Sequence, residues 1–256
     1  MENDVEKEDQ PRNILVKVND LTKAFGSLLV LDKICFDVYE REFLCIVGPT
    51  GCGKTTFLNS LTKLYDITSG EILLKGEPVD LRKHNISYVF QEASTMPWLT
   101  VEDNIRFGLN LKKVSKTESD DRVDEVIKLV NLQKFRKYYP TQLSTSMLQR
   151  VVIARAFVTR PTLLLMDEPY GQLDLELRYM LEDELIALWE RIKTTVVFIT
   201  HNIEEAVYLG QRILVLTNKP ATIKEEIICD LPRPRDFAEP HFVELRNRVT
   251  DLIKWW

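Results

Sequence analysis

Short apolar runs alternating with longer amphipathic stretches organise the chain. Strand-like patterning covers residues 14–18 and 34–38, separated by a turn at Gly26-Ser27. Residues 43–47 are an apolar run that ends at Gly48. A helix is expected from Lys54 to about Leu64, because Phe57, Leu58, Leu61 and Leu64 recur at helical spacing. Strands are expected at 71–75 and 86–90. From Val101 to about Phe157 the pattern turns helical. Within it, residues 119–132 set Val123, Val126, Ile127 and Val130 on one face, beside an exposed Asp120, Asp121, Arg122, Asp124 and Glu125. A second strand and helix alternation follows: a strand at 163–166, a helix at 175–193 and a strand at 196–200. Leu177, Leu181, Leu185, Leu188 and Ile192 form the apolar stripe of that helix.

Buried runs of this length between helices argue for a largely parallel sheet covered by helices. The expected fold is α/β, with a core over 14–92 and 160–256 and a helical insertion over 93–159. Ligands of such folds sit at the carboxyl ends of the strands. The unusual polar residues of this chain fall there, after Val47, Phe90, Met166 and Ile199.

Composition narrows the function. The 256 residues suffice for one large domain, or a core with a smaller inserted one. A net charge of −5 speaks against a nucleic-acid partner. No apolar run approaches the ~20 residues of a membrane-spanning helix. The start, with Glu2, Asp4, Glu6, Glu8 and Asp9, lacks the basic and apolar stretches of a secretory signal, so residues 1–13 are expected to form a disordered acidic tail. Cys35, Cys45, Cys52 and Cys229 form no C-x-x-C pair, which argues against a zinc site or disulfide scaffold and fits a reducing cytosol.

Gly48-Pro49-Thr50-Gly51-Cys52-Gly53-Lys54-Thr55 fits G-x-x-x-x-G-K-[ST] in full. The glycines let the backbone curl so that N–H groups face phosphate oxygens, and the helix that starts there adds its positive end. Lys54 can reach the β- and γ-phosphates of a nucleoside triphosphate, and Thr55 can place its hydroxyl on magnesium. Residues 163–168 are a second marked element, an apolar strand ending in two carboxylates. That is costly unless the carboxylates have work to do. Asp167 is expected in the magnesium shell and Glu168 is expected to polarise the attacking water. His201, one of three histidines, ends the strand at 196–200 and is expected to contact the γ-phosphate. Gln91 ends the strand at 86–90, where its amide can reach magnesium and water.

Together these residues resemble the ATPase subunit of an ABC transporter, over about residues 14–252. The resemblance implies a P-loop NTPase (RecA-like) core with a mostly parallel sheet, an antiparallel β-subdomain and an inserted helical subdomain. It places Phe25 where an aromatic stacks on adenine and extends the Walker A loop from Gly48 to Thr56. It makes Gln91 the Q-loop residue, residues 163–168 the Walker B strand, Gly171-Gln172-Leu173-Asp174 the D-loop and His201 the switch histidine. Leu143 and Ser144 open the signature segment. A closer resemblance, to importers of nitrate, sulfonate, taurine and bicarbonate, rests on residues 97–104, 200–206 and 231–236. It implies ATP and Mg2+ as ligands, a second ATPase subunit meeting this one head to tail, and transmembrane permease subunits. A periplasmic or extracellular solute-binding protein is implied indirectly, and the location is the cytoplasmic face of the cell membrane.

The chain departs from the family where two adjacent glycines follow the signature serine. Here Thr145 and Ser146 follow Ser144. Glycine lets backbone N–H groups approach the γ-phosphate closely, and side chains there can hold it off. Two readings follow: a hydrolysing subunit, or a nucleotide-gated regulatory subunit with little hydrolysis of its own, the weak half of a heterodimer. The terminal Trp255-Trp256 pair is expected to cap the last helix or to pack at an interface.

Overall fold

The computed structural model describes residues 12–171 and 173–253. The acidic tail, but for Arg12 and Asn13, lies outside the described residues, as do Gln172 and the Trp255-Trp256 pair.

Two sheets carry the architecture. Strands β1 (Ile14–Phe25), β2 (Leu28–Tyr39), β4 (Ser69–Leu74) and β5 (Glu77–Pro78) form an antiparallel sheet in the order β2-β1-β4-β5. Strands β3 (Phe43–Val47), β6 (Ile86–Val89), β7 (Leu163–Asp167), β8 (Thr195–Thr200), β9 (Arg212–Leu216) and β10 (Ile223–Ile228) form the second, in the order β10-β9-β3-β8-β7-β6. In it β9, β3, β8, β7 and β6 run parallel, and β10 is an antiparallel edge.

Every residue of β3, β7, β8 and β9 is buried. Their side chains alternate between two cores. Cys45, Val47, Met166 and Phe198 join the core shared with α2 (Val101–Leu111), α3 (Lys116–Leu129), α4 (Thr145–Phe157) and α5 (Leu175–Ile192). Leu44, Ile46, Leu165 and Ile199 join the core shared with α1 (Lys54–Leu61) and the antiparallel sheet. Burial on both faces is why these strands read as unbroken apolar runs.

The hairpin strands are far longer than the apolar patterning suggested. Alternation breaks at Asn19-Asp20, where Asp20 takes φ 45° and the ladder slips between Val18 and Leu21. This irregularity carries the strand onward instead of ending it. The first helix ends at Leu61 rather than Leu64, with Lys63 at φ 55° and Leu64 exposed. β9, β10, α6 (Ile203–Leu209) and α7 (Pro240–Ile253) complete the fold.

Residues at 97–104, 200–206 and 231–236 have structural work of their own. Thr100 caps α2 by accepting from Asp103 N, and Asn202 caps α6 by accepting from Glu204 N and Glu205 N. Arg235 is buried and donates to the carbonyls of Val207, Tyr208 and Gly210 at 2.5, 3.1 and 2.5 Å, at the carboxyl end of α6. A cation there is favoured by the helix dipole. The two sheets are joined by a buried pair in which Arg212 on β9 donates to both carboxylate oxygens of Glu42, at 2.8 and 2.9 Å. Glu42 also accepts from Tyr39 N at 2.9 Å, and the Arg212 guanidinium lies 4.8 Å from the Tyr39 ring centroid.

Candidate active site

The loop between β3 and α1 is shaped by what glycine permits. Gly53 takes φ +124°, and a Cβ there would lie 2.9 Å from Val30 Cγ1 and 3.0 Å from Leu31 Cδ2. Any side chain would push the loop off β2. Gly53 is also the N-cap of α1, and it offers no side-chain acceptor. Helices α2 to α6 all begin at a Thr, Ser, Asp or Asn whose side chain accepts from the first turn. The opening N–H groups of α1 are thus left for an external anion.

Lys54, the first residue of α1, is only 4% exposed. Its Nζ donates to Gly48 O at 3.0 Å and Pro49 O at 3.2 Å, and lies 3.6 Å from Glu168 Oε1. A buried ammonium with one carboxylate and two carbonyls around it is suited to receive further negative charge. Glu168 reaches it from a left-handed backbone position, φ 45°, just past the end of β7. Its N–H donates to Ile199 O at 2.9 Å, and its carbonyl accepts from Gly171 N at 3.1 Å. This turn sends the side chain back toward the loop, where Oε2 lies 2.8 Å from His201 Nδ1. Strain of this kind recurs at functional sites.

Asp167 is buried beside it. Thr55 and Tyr88 hydrogen-bond to its carboxylate, Tyr88 Oη at 3.4 Å. Burial raises the Asp167 pKa, the neighbouring Glu168 charge adds to the rise, and the two hydroxyls oppose it. A dication would reverse that balance. A cleft of about 400 Å³ opens over the loop, lined by Phe25, Leu28 and Val30 of the hairpin, by Thr50, Gly51 and Gly53 to Thr56, and by Gln91, Glu168 and Lys219. The Gln91 amide is near Glu168: a methyl on Gly171 would lie 3.9 Å from Gln91 Nε2 and 3.9 Å from Glu168 Oε2.

With this geometry in hand, likeness to known proteins is informative. The ABC transporter family profile matches residues 31–171. An uncharacterized ABC transporter ATP-binding protein of Methanocaldococcus jannaschii is 42% identical over 257 residues, covering 99% of this chain and 96% of the relative. The chain belongs to the ABC transporter family. An aliphatic sulfonates import ATP-binding protein of Bacillus cereus is 41% identical to this ABC subunit, over 94% of the chain and 96% of the relative. A dimeric bacterial ABC transporter cassette superposes with a TM-score of 0.73 at 31% identity, covering 85% of this chain and 100% of the cassette.

This ABC subunit is thus an α/β P-loop ATPase that binds ATP with Mg2+, and such subunits dimerise and work with transmembrane permeases. The residues present fit both ligands. The uncapped start of α1 and buried Lys54 suit phosphate, and the neighbouring oxygens of Thr55 and Asp167 suit a hard cation that prefers oxygen ligands.

Not every expected residue is at the cleft. Gly48, Pro49, Cys52 and the buried Asp167 are absent from its lining. Pro49 offers its carbonyl to Lys54, and Cys52 is buried with its thiol pKa raised by that burial. Ser144, Thr145, Ser146, Asp174 and His201 are also outside it, although His201 reaches Glu168. Ser144 caps α4 by accepting from Met147 N, Asp174 caps α5 by accepting from Leu177 N, and Ser146 is buried with its hydroxyl 3.1 Å from that of Ser144.

Sequence reasoning missed Tyr88, Lys219 and two buried glutamates. Tyr88 reads as an ordinary strand aromatic, and Lys219 is in a loop with no motif. Glu182 on α5 is fully buried, and both carboxylate oxygens lack hydrogen-bond partners. It follows the stripe residue Leu181 and opens the acidic run Glu182-Asp183-Glu184, so it reads as solvated face. Burial raises its pKa from 4.5 to about 9, with Glu205 repulsion adding to the rise. Glu205 on α6 is raised to about 7, again by burial. A carboxyl with a raised folded pKa costs nothing in acid, and stability is lost as pH climbs from the unfolded value to the folded one. Glu182→Gln is therefore expected to match the parent below about pH 4, under the unfolded carboxyl value. It should become more stable as pH rises, by roughly 4 kcal/mol at pH 8. Urea unfolding at several pH values checks this, and a pH-independent difference would contradict it.

Proposed function

We propose that this ABC ATPase energises the import of a small anionic solute of the sulfonate, taurine, nitrate or bicarbonate type, from the cytoplasmic face of a membrane. The triphosphate is cradled by the backbone of Gly48 to Thr56 and by Lys54, with the adenine stacked on Phe25. Thr55, Asp167 and Gln91 would hold magnesium, which would supply charge neutralisation of the phosphates. Glu168 takes the proton of the attacking water, and His201 contacts the γ-phosphate. The observation that carries this reading is Glu168 itself, with one carboxylate oxygen toward Lys54 and the other on His201. A carboxylate held between the loop lysine and a histidine supports a role in polarising water. The solute class is supported by relatives named for aliphatic sulfonate import.

A solute-binding protein would deliver the solute to the permease. The complex with permease should therefore show ATPase activity stimulated by a binding protein loaded with one of these anions. Glu168→Gln in the same complex should keep ATP binding and lose roughly 10²–10⁴-fold in kcat. Stimulation by none of the anions would overturn the solute class, and retained turnover would remove Glu168 as the base.

The signature segment favours a second reading, of two unequal sites. Thr145 is exposed on the first turn of α4, and Ser146 fills the next position with a buried hydroxyl. The exposed Thr145 side chain would keep a facing γ-phosphate from the backbone, so the site completed by this segment would be weak. This chain would then work beside a related ATPase with an intact signature. Replacing both Thr145 and Ser146 by glycine is expected to raise homodimer turnover several-fold, up to about a hundredfold if the donors are displaced by an ångström. A steady-state ATPase assay showing no rise would exclude the asymmetry.

A further inference from the structure

Phe25 lines the cleft, but two groups packed on its ring do not. Lys23, two residues back on β1, sets its Nζ 4.4 Å from the Phe25 ring centroid and 5.8 Å from that of Tyr65. Tyr65 meets Phe25 with centroids 5.4 Å apart and planes at 88°. Neither Lys23 nor Tyr65 is among the cleft-lining residues. The ammonium and the phenol ring thus do not wall the cleft, whereas Phe25 does.

This arrangement is tied down. Lys23 Nζ donates to Asp66 O at 2.5 Å, Ala24 N donates to Thr68 Oγ1 at 2.9 Å, and Thr68 N donates to Thr22 O at 2.8 Å. Tyr65 N donates to Asn59 O, in the last turn of α1, at 3.0 Å. The turn that carries Tyr65 is therefore stitched to the end of β1, and it leaves the helix whose start closes the phosphate loop. Among the described residues Lys23 meets aromatic rings and a carbonyl, not a carboxylate. An ammonium engaged in this way is attracted by the ring quadrupole, and it draws π density toward itself.

We propose that Lys23 and Tyr65 are positioning residues for base recognition. Together they fix the Phe25 ring and polarise it from behind, so that its cleft side stacks an electron-rich purine. The inference rests on the reading of Phe25 as the adenine-stacking residue, and its test separates the two. Neither residue lines the cleft over the phosphate loop, so their effect is expected on the base alone.

The experiment is equilibrium binding of Mg-ATP and of inorganic triphosphate to the full chain, with steady-state ATPase alongside. Lys23→Met keeps the aliphatic stem and removes the charge. It is expected to weaken ATP binding by roughly three-fold, with triphosphate affinity and kcat unchanged. Lys23→Arg restores ATP affinity, Tyr65→Phe is neutral, and Tyr65→Ala behaves like Lys23→Met. In a Phe25→Leu background the Lys23→Met loss vanishes, as it must for a residue that acts through the ring. Equal losses for ATP and triphosphate would make Lys23 a general attractor of phosphate and overturn the proposal, as would unchanged ATP affinity in Lys23→Met. If Phe25→Leu alone leaves ATP affinity intact, the stacking role fails first and this inference falls with it.

Discussion

The burial of one positive charge organises this molecule. Lys54 is the first residue of a helix, enclosed by its own loop, with carbonyls at 3.0 and 3.2 Å and a carboxylate oxygen at 3.6 Å. An ammonium in so dry a place needs anionic company. The uncapped start of α1 adds a dipole that calls for the same charge. The loop is therefore more than a flexible link between β3 and α1. It is a fixed concentration of positive potential, and the fold brings acceptors and donors to it.

Parallel strands supply those groups with little adjustment. β3, β8 and β7 are neighbours in register, so the residues just past their ends fall side by side. Lys54 follows β3, His201 follows β8 and Glu168 follows β7. Lys54 and His201 both meet Glu168, although Lys54 lies 114 positions before it (168 − 54) and His201 33 after it. The antiparallel sheet contributes Phe25 and Leu28 from its hairpin end. The buried pair between Glu42 and Arg212 helps to hold that sheet against the core.

Helix capping separates local from tertiary roles. Ser144 and Asp174 accept from backbone N–H groups of their own helices, which is sufficient physical reason for those residue types there. A functional role in addition depends on a facing subunit. The same holds for Asn202 and for the arginines after β10, whose contacts clamp α6. Residues that look like family marks in the sequence can thus serve the fold first.

The phosphate loop was legible in the sequence because its chemistry is local: glycines, a lysine and a threonine at fixed spacing dictate a turn, a helix start and an anion. The central strands were legible too, since burial on both faces leaves an apolar run. The length of the hairpin was not, because the irregularity at Asp20 breaks alternation without breaking the ladder. Glu182 was hidden for a related reason: a charged residue is assigned to solvent by its type, and only the packing of α5 against its neighbours decides otherwise. The contact of Glu168 with both Lys54 and His201, the support of Asp167 by Tyr88, and the seat of Phe25 on Lys23 and Tyr65 depend on strand order and on one left-handed residue. The sequence by itself determined which residue types stand at the phosphate loop and just past the strand ends. The tertiary structure decided which of them meet, because proximity across a sheet is set by register and topology rather than by spacing along the chain.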